Sequence, residues 1–144
     1  MTELRVKRLD ADLPLPSYAR RGDAGLDLLA SADATVQPGG RASVPTGIAL
    51  EIPEGFAGFV HARSGRALRE GLALANAPGL IDSGYRGEVK VIVVNLDPYE
   101  PIHIKRGEKI AQLVIQPVTT TLLVETDELA ASERGEGGFG STGE

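Results

Sequence analysis

In the run APGLIDSGYRGEVKV, residues 77–91, Asp82 and Tyr85 stand three positions apart at a Ser-Gly turn, with Leu80 and Ile81 leading in and a β-branched strand following. Taken alone, an Asp in such a turn is a solvated side chain. With these neighbours, a carboxylate and an aromatic ring are held at one rigid bend, where a pocket can use both. A second stretch, HARSGRAL, sets Arg63, Ser64 and Gly65 between a strand ending near Ala62 and a short helical turn. A guanidinium, a hydroxyl and backbone N–H groups that donate toward one point make a phosphate cradle, although the same residues also read as a Ser helix cap beside a solvated Arg.

Three further stretches carry chemistry more faintly. In GDAGLDLLA, Asp23 and Asp27 flank Gly25; two carboxylates at a glycine turn suit Mg²⁺, which takes oxygen ligands and keeps several waters, and they also suit the plain start of a strand. In RGEKIAQLVIQP, Gln112 interrupts an apolar strand, as one residue on the open face of a half-buried strand does unless something pairs with it. The last twelve residues, ERGEGGFGSTGE, contain five glycines. There Arg134 offers a bidentate donor to an anion, the glycine backbone permits close approach, and Phe139 offers a face for stacking on a base. A Gly-rich tail by itself reads as disordered, because glycine loses more backbone freedom on ordering than any other residue.

Composition narrows the reaction. The 144 residues include no Cys and only two His, His61 and His103, which removes disulfides, thiolate zinc sites and thiol nucleophiles and leaves oxygen ligands for any metal. Neither His falls within the residues singled out, so a carboxylate that activates water is the economical mechanism and a covalent intermediate has little support. The net charge of −5 argues against nucleic acid as a partner, since polyanion binding is driven by displacing counterions with basic residues. A small anion is a different matter, because a few local donors suffice. The N-terminal MTELRVKRLD has no apolar run after its charges, and no stretch approaches the roughly 20 apolar residues of a membrane span. A soluble, cytoplasmic protein without membrane contact is expected.

The elements that must position these residues read as strands. GIALEI alternates Ile48, Leu50 and Ile52 with Ala49 and Glu51, while VKVIVVNL, KIAQLVI and TTTLLVE are β-branched. Breakers recur between them at short intervals, in QPGG, IPEG, NAPG, DSGYRG, DPYEP and KRG, the spacing of a sandwich or barrel and not of βαβ units. The pattern predicts an all-β fold. Its single helix falls in SGRALREG, begun by Ser64 and closed by Gly71. The only compositional shift comes near Ala130, which divides the chain into a domain over 1–130 and an arm over 131–144.

Together, AGLDL, RSG, GLIDSGYRG, RGEKIAQLVIQP and RGEGGFGSTG, in this order and over nearly the whole chain, resemble the five motifs of the trimeric deoxyuridine triphosphatase family. The resemblance implies a distorted jelly-roll-like β-barrel, a homotrimer with active sites shared between subunits, and a flexible Gly-rich C-terminal arm. It implies hydrolysis of dUTP to dUMP and pyrophosphate by attack at the α-phosphorus. Asp82 would be the general base and Tyr85 would pack against the deoxyribose and leave no room for a 2'-hydroxyl. Asn76 and the backbone of Leu80, Ile81 and Asp82 would read uracil, with Lys90 nearby. Arg63, Ser64, Gly65 and Gln112 would hold the phosphates. Asp27 would act through water on Mg²⁺, itself chelated mainly by the triphosphate. From the arm, Arg134 would reach the terminal phosphate, Phe139 would cover the uracil, and Gly140 and Ser141 would complete the phosphate contacts.

Two residues beside the phosphate loop depart from the family: Ala62 stands where Pro is frequent, and Arg66 where an apolar residue is usual. The rival dCTP deaminase resembles the same fold but uses a Glu at the base, and VKVIVV after the hairpin offers no carboxylate. A nucleotide-binding sensor and a purely structural trimer are the alternatives outside catalysis.

Overall fold

The β-branched runs form strands, and the glycine and proline clusters turn the chain between them. A computed structural model of the chain, describing residues 1–143, contains β1 (Arg5–Arg8), β2 (Leu26–Leu29), β3 (Ala34–Val36), β4 (Arg41–Glu51), β5 (Phe56–His61), α1 (Ser64–Glu70), β6 (Leu72–Leu74), β7 (Gly79–Ile81), β8 (Glu88–Asn95), β9 (Ile102–Ile104) and β10 (Lys109–Pro117). Two four-stranded sheets, ordered β1-β4-β8-β6 and β2-β10-β5-β7, and a small β3-β9 pair make up the molecule. All pairings are antiparallel. The fold is thus all-β with one short helix, jelly-roll-like and distorted, since the sheets keep open edges and do not close into a barrel. No helix among the described residues is long and apolar enough to cross a membrane.

Strand periodicity sets the core. Val89, Val91 and Val93 of β8 are fully buried while Lys90 and Ile92 face outward, the period of two that a sheet with one covered face demands. They meet Leu28, Val44, Leu50, Leu72, Ile110 and Leu113 from both sheets and Ile104 from the β3-β9 pair. In β4 the alternation fails: Thr46, Ile48, Ala49 and Leu50 are all buried. The register with β8 slips between Pro45 and Ala49, at Gly47, whose φ of 71° belongs to the left-handed region. The Thr46 hydroxyl and the Gly47 N–H then bond across to the Val89 carbonyl and the Glu88 carboxylate, which fastens the start of β8 directly after the β7–β8 bend.

Two sequence expectations change. Ser64 does not cap the helix: Arg63 holds the N-cap position in extended conformation without a side-chain cap, and Ser64 is the first helical residue. Gly71 does close it, in the left-handed conformation, with its N–H on the Ala67 carbonyl. The second change concerns TTTLLVE, which forms no strand. Its composition favours extended chain, but a strand needs a neighbouring edge, and no element of this chain pairs with it; Leu122, Leu123 and Val124 are exposed.

Candidate active site

The catalytic carboxylate expected from the sequence sits in the bend between β7 and β8. The Asp82 carbonyl accepts the Tyr85 N–H at 3.1 Å, closing a tight turn. Tyr85 folds back so that its hydroxyl donates to the Glu88 carbonyl at 3.0 Å. Its ring lies over Gly87, where a Cβ would collide with the phenol, so Gly87 is required by close approach. On its other side β7 pairs with β5, Val60 facing Gly79 and Gly58 facing Ile81; Asn76 rests its amide against Gly79. These elements enclose a cavity of about 350 Å³ whose lining includes Asn76, Leu80, Ile81, Asp82, Tyr85 and Lys90. The residues that the sequence assigned to the base and sugar, Phe139 of the arm excepted, therefore share one pocket. Glu88, which the sequence reading passed over, lines it too, with its carboxylate accepting the Gly47 N–H at 3.1 Å.

The phosphate residues lie elsewhere. Arg63, Ser64 and Gly65 at the start of α1 face β2 and β10 across a second cleft of about 410 Å³, which Asp27 and Gln112 also line. Antiparallel pairing sets Gln112 opposite both Asp27 and His61. The Gln112 amide donates to the Ala62 carbonyl at 3.0 Å, which supplies the partner that a polar residue in an apolar strand lacked. A Cβ on Gly25 would come within 2.6 Å of its Oε1; the glycine of AGLDL thus leaves room for the glutamine.

Asp27 is buried and doubly paired. Its Oδ1 lies 3.2 Å from Arg63 Nε, and its Oδ2 lies 2.7 Å from Lys109 Nζ. Lys109 was not legible as part of the site, because its connection to Asp27 exists only through the β2–β10 register. Among the described residues no group of three His, Asp or Glu could hold a metal. Asp27, with both oxygens engaged by cations, offers no vacant chelating pair. These residues do not build a cage for a resident Mg²⁺; an ion that arrives already chelated by a triphosphate asks for no cage.

Arg66, the departure beside the loop, lines the cleft but commits its guanidinium to the protein. Its Nε and Nη2 take Glu70 bidentately at 2.6 and 3.0 Å, Nη1 reaches Glu108 at 3.0 Å, and Nη2 also donates to the His103 carbonyl at 3.2 Å. A nine-tenths buried guanidinium is thereby satisfied. Hydrogen bonding to Glu70 outweighs burial and raises the Arg66 pKa, and the same bond holds the Glu70 carboxyl below its ordinary value.

The arm residues join neither cavity. Arg134 Nε donates to the Gly137 carbonyl at 2.7 Å, and Ser141 N–H to Gly138. Phe139 is fully exposed at a φ of 52°, followed by Gly140 at 85°. Glu144, the end of the expected arm, lies outside the described residues.

A family model described as dUTPase matches residues 11–143. A deoxyuridine 5'-triphosphate nucleotidohydrolase of Thermobifida fusca is 56% identical over 140 residues, covering 97% of this chain and 78% of that protein. One from Mycolicibacterium vanbaalenii is 56% identical over 147 residues, covering 99% and 96%. Among solved structures, the dUTPase of Staphylococcus bacteriophage 80alpha with dUPNHPP aligns with a TM-score of 0.91 at 31% identity over 99% of each chain. A mutant dUTPase from phage phi11 of S. aureus, studied for its coordination of a structural Mg(II) ion, aligns at 0.81 with 27% identity over 88% of this chain and 98% of that one.

Proposed function

The chain belongs to the dUTPase family, a dUTP diphosphatase by that membership, and on this premise we propose that it hydrolyses Mg²⁺-bound dUTP to dUMP and pyrophosphate in sites shared between the subunits of a homotrimer. The observation that carries the reading is the division of the site. Asp82, Tyr85 and Asn76 line one cavity, Arg63, Ser64, Gly65 and Gln112 line another, and the two have no lining residue in common. They stand toward opposite edges of one sheet, β7 and β2, three strand steps or roughly 14 Å apart. A nucleotide seated by its base in one pocket meets a phosphate cleft when a second copy of the chain presents one.

In this scheme uracil is read by the Asn76 amide and the backbone of Leu80, Ile81 and Asp82, with Lys90 at the rim. A pocket built on hydrogen bonds rejects cytosine by its donor pattern, and its walls reject the thymine methyl. Tyr85, fixed by its bond to Glu88, lies where a ribose would carry its 2'-hydroxyl and so excludes UTP. Asp82 orients a water for in-line attack on the α-phosphorus and takes its proton. As the new P–O bond forms, the bond to the bridging oxygen breaks and pyrophosphate leaves with that electron pair. The phosphate-side donors stabilise the charge that develops. Mg²⁺, entering as part of the substrate, neutralises phosphate charge, with Asp27 the carboxylate placed to meet its water shell. The arm brings Arg134, Gly140 and Ser141 to the phosphates and Phe139 to the base, excluding bulk water. Activity of this kind in the cytoplasm keeps uracil out of DNA and supplies dUMP for dTTP synthesis.

The test incubates the protein and Mg²⁺ with dUTP, UTP, dTTP or dCTP and assays pyrophosphate and ammonia. Pyrophosphate from dUTP alone is expected; its absence overturns the proposal, and ammonia from dCTP selects the deaminase. Asp82→Asn should still bind dUTP while turnover falls by about a hundredfold or more, and unchanged turnover removes Asp82 from the role of base.

A further inference from the structure

A charge account of the phosphate cleft singles out a residue that none of the motif positions includes. Three arginines line this cleft, Arg63, Arg66 and Arg69. Arg66 is wholly committed to Glu70, Glu108 and the His103 carbonyl. Arg63 shares the Asp27 carboxylate with Lys109. Asp23, the other carboxylate at the cleft, accepts the Arg20 N–H at 2.8 Å. Among the described residues Arg69 makes no ion pair and no hydrogen bond, yet it lines both this cleft and the adjoining one that holds Lys109.

Its placement is specific. Arg69 follows Gly65 by four positions, one helical turn, and its guanidinium folds back across that turn: a Cβ on Gly65 would lie 3.1 Å from Nη1, 3.5 Å from Nη2 and 3.6 Å from Cζ. The bare Cα of Gly65 thus leaves room for the planar group beside the Arg63-Ser64-Gly65 backbone. A solvated arginine at the end of a helix has the whole of the water to extend into. This one lies over the loop that the phosphate reading depends on.

We propose that Arg69 is a phosphate-binding residue of this site, contributing the one guanidinium of the cleft that makes no ion pair among the described residues, and that it acts on the β- and γ-phosphates of the substrate. The inference rests on the dUTPase reading and adds a residue to it. Arg63 brings its own counter-charge in Asp27, so Arg69 adds a charge-assisted donor that Arg63 alone does not supply. The fork of Arg69, with five N–H donors and no acceptor among the described residues, is suited to bridge two phosphate oxygens.

The test compares wild-type protein with Arg69→Ala and Arg69→Lys, measuring kcat and KM for dUTP and the binding of dUMP and of a non-hydrolysable dUTP analogue. Arg69→Ala should raise KM for dUTP and weaken the triphosphate analogue by about tenfold, the size of one lost charge-assisted contact, and leave dUMP affinity unchanged. Arg69→Lys should recover part of the loss. Arg69 is exposed, so the variants fold, and an unaltered Tm checks that they do. Wild-type turnover with an unchanged KM in Arg69→Ala overturns the Arg69 assignment alone. Equal weakening of dUMP and the triphosphate also overturns it, by showing a general disturbance of the site. Failure of the wild-type protein to hydrolyse dUTP overturns the family-based reading beneath it.

Discussion

Glu70 is kept ionised by the buried Arg66, and the pH dependence of that pair can be given a sign. The folded-state pKa of Glu70 is depressed, first by the Arg66 hydrogen bond. The stabilisation is therefore fully present above the unfolded glutamate value of about 4.3 and is lost as pH falls through the lower folded value. Glu70→Gln should lower Tm by about 2–4 °C at pH 7, a modest shift because Glu70 is one-third exposed. The difference from wild type should shrink below pH 4 in a series of melting curves; a constant difference would deny the ion pair its role. Residues of this kind were the least legible in the sequence. Asp82, Tyr85 and Arg63 stand in short local patterns that announce a turn and an anion site. Arg66, Lys109 and Glu88 take their meaning from partners such as Glu108, Asp27 and Gly47, which only strand register brings near.

At the scale of elements, what could be read was periodicity, and what could not was pairing. β8 and β10 follow from their β-branched runs and α1 from its closing Gly71, whereas Ser64 looked like a cap until the helix began one residue earlier than such a cap allows. TTTLLVE has strand composition and no strand, because an edge to receive it is a property of tertiary structure. From residue 118 to residue 136 every position is exposed, so little burial offsets the entropy of ordering the arm, and substrate is the partner we assign to it. Deleting residues 133–144 should leave a folded protein of unchanged oligomeric state, since among the described residues no strand or core residue lies there. Turnover of dUTP should fall by at least about tenfold through loss of Arg134 and Phe139. Full activity in the truncated protein, assayed beside light scattering, would remove the arm from the mechanism.

For the molecule as a whole, the sheet that carries both half-sites also keeps them apart. The base-side pocket sits at the β7 edge and the phosphate cleft at the β2 edge, with β5 and β10 between them as rigid spacers. Mutations on the two sides should therefore complement. Asp82→Asn damages one half and Arg63→Ala the other, and each variant alone should be inactive. When the two are unfolded together and refolded, the proposed trimer gives each ring that contains both kinds of subunit one junction where an intact Asp82 half meets an intact Arg63 half. Activity should return in the mixture, and a mixture as dead as its parents would mean that each chain builds its site from its own residues. With the proposed shared site, damage is a property of neighbours, so two defective copies of the gene product can together do what neither does alone.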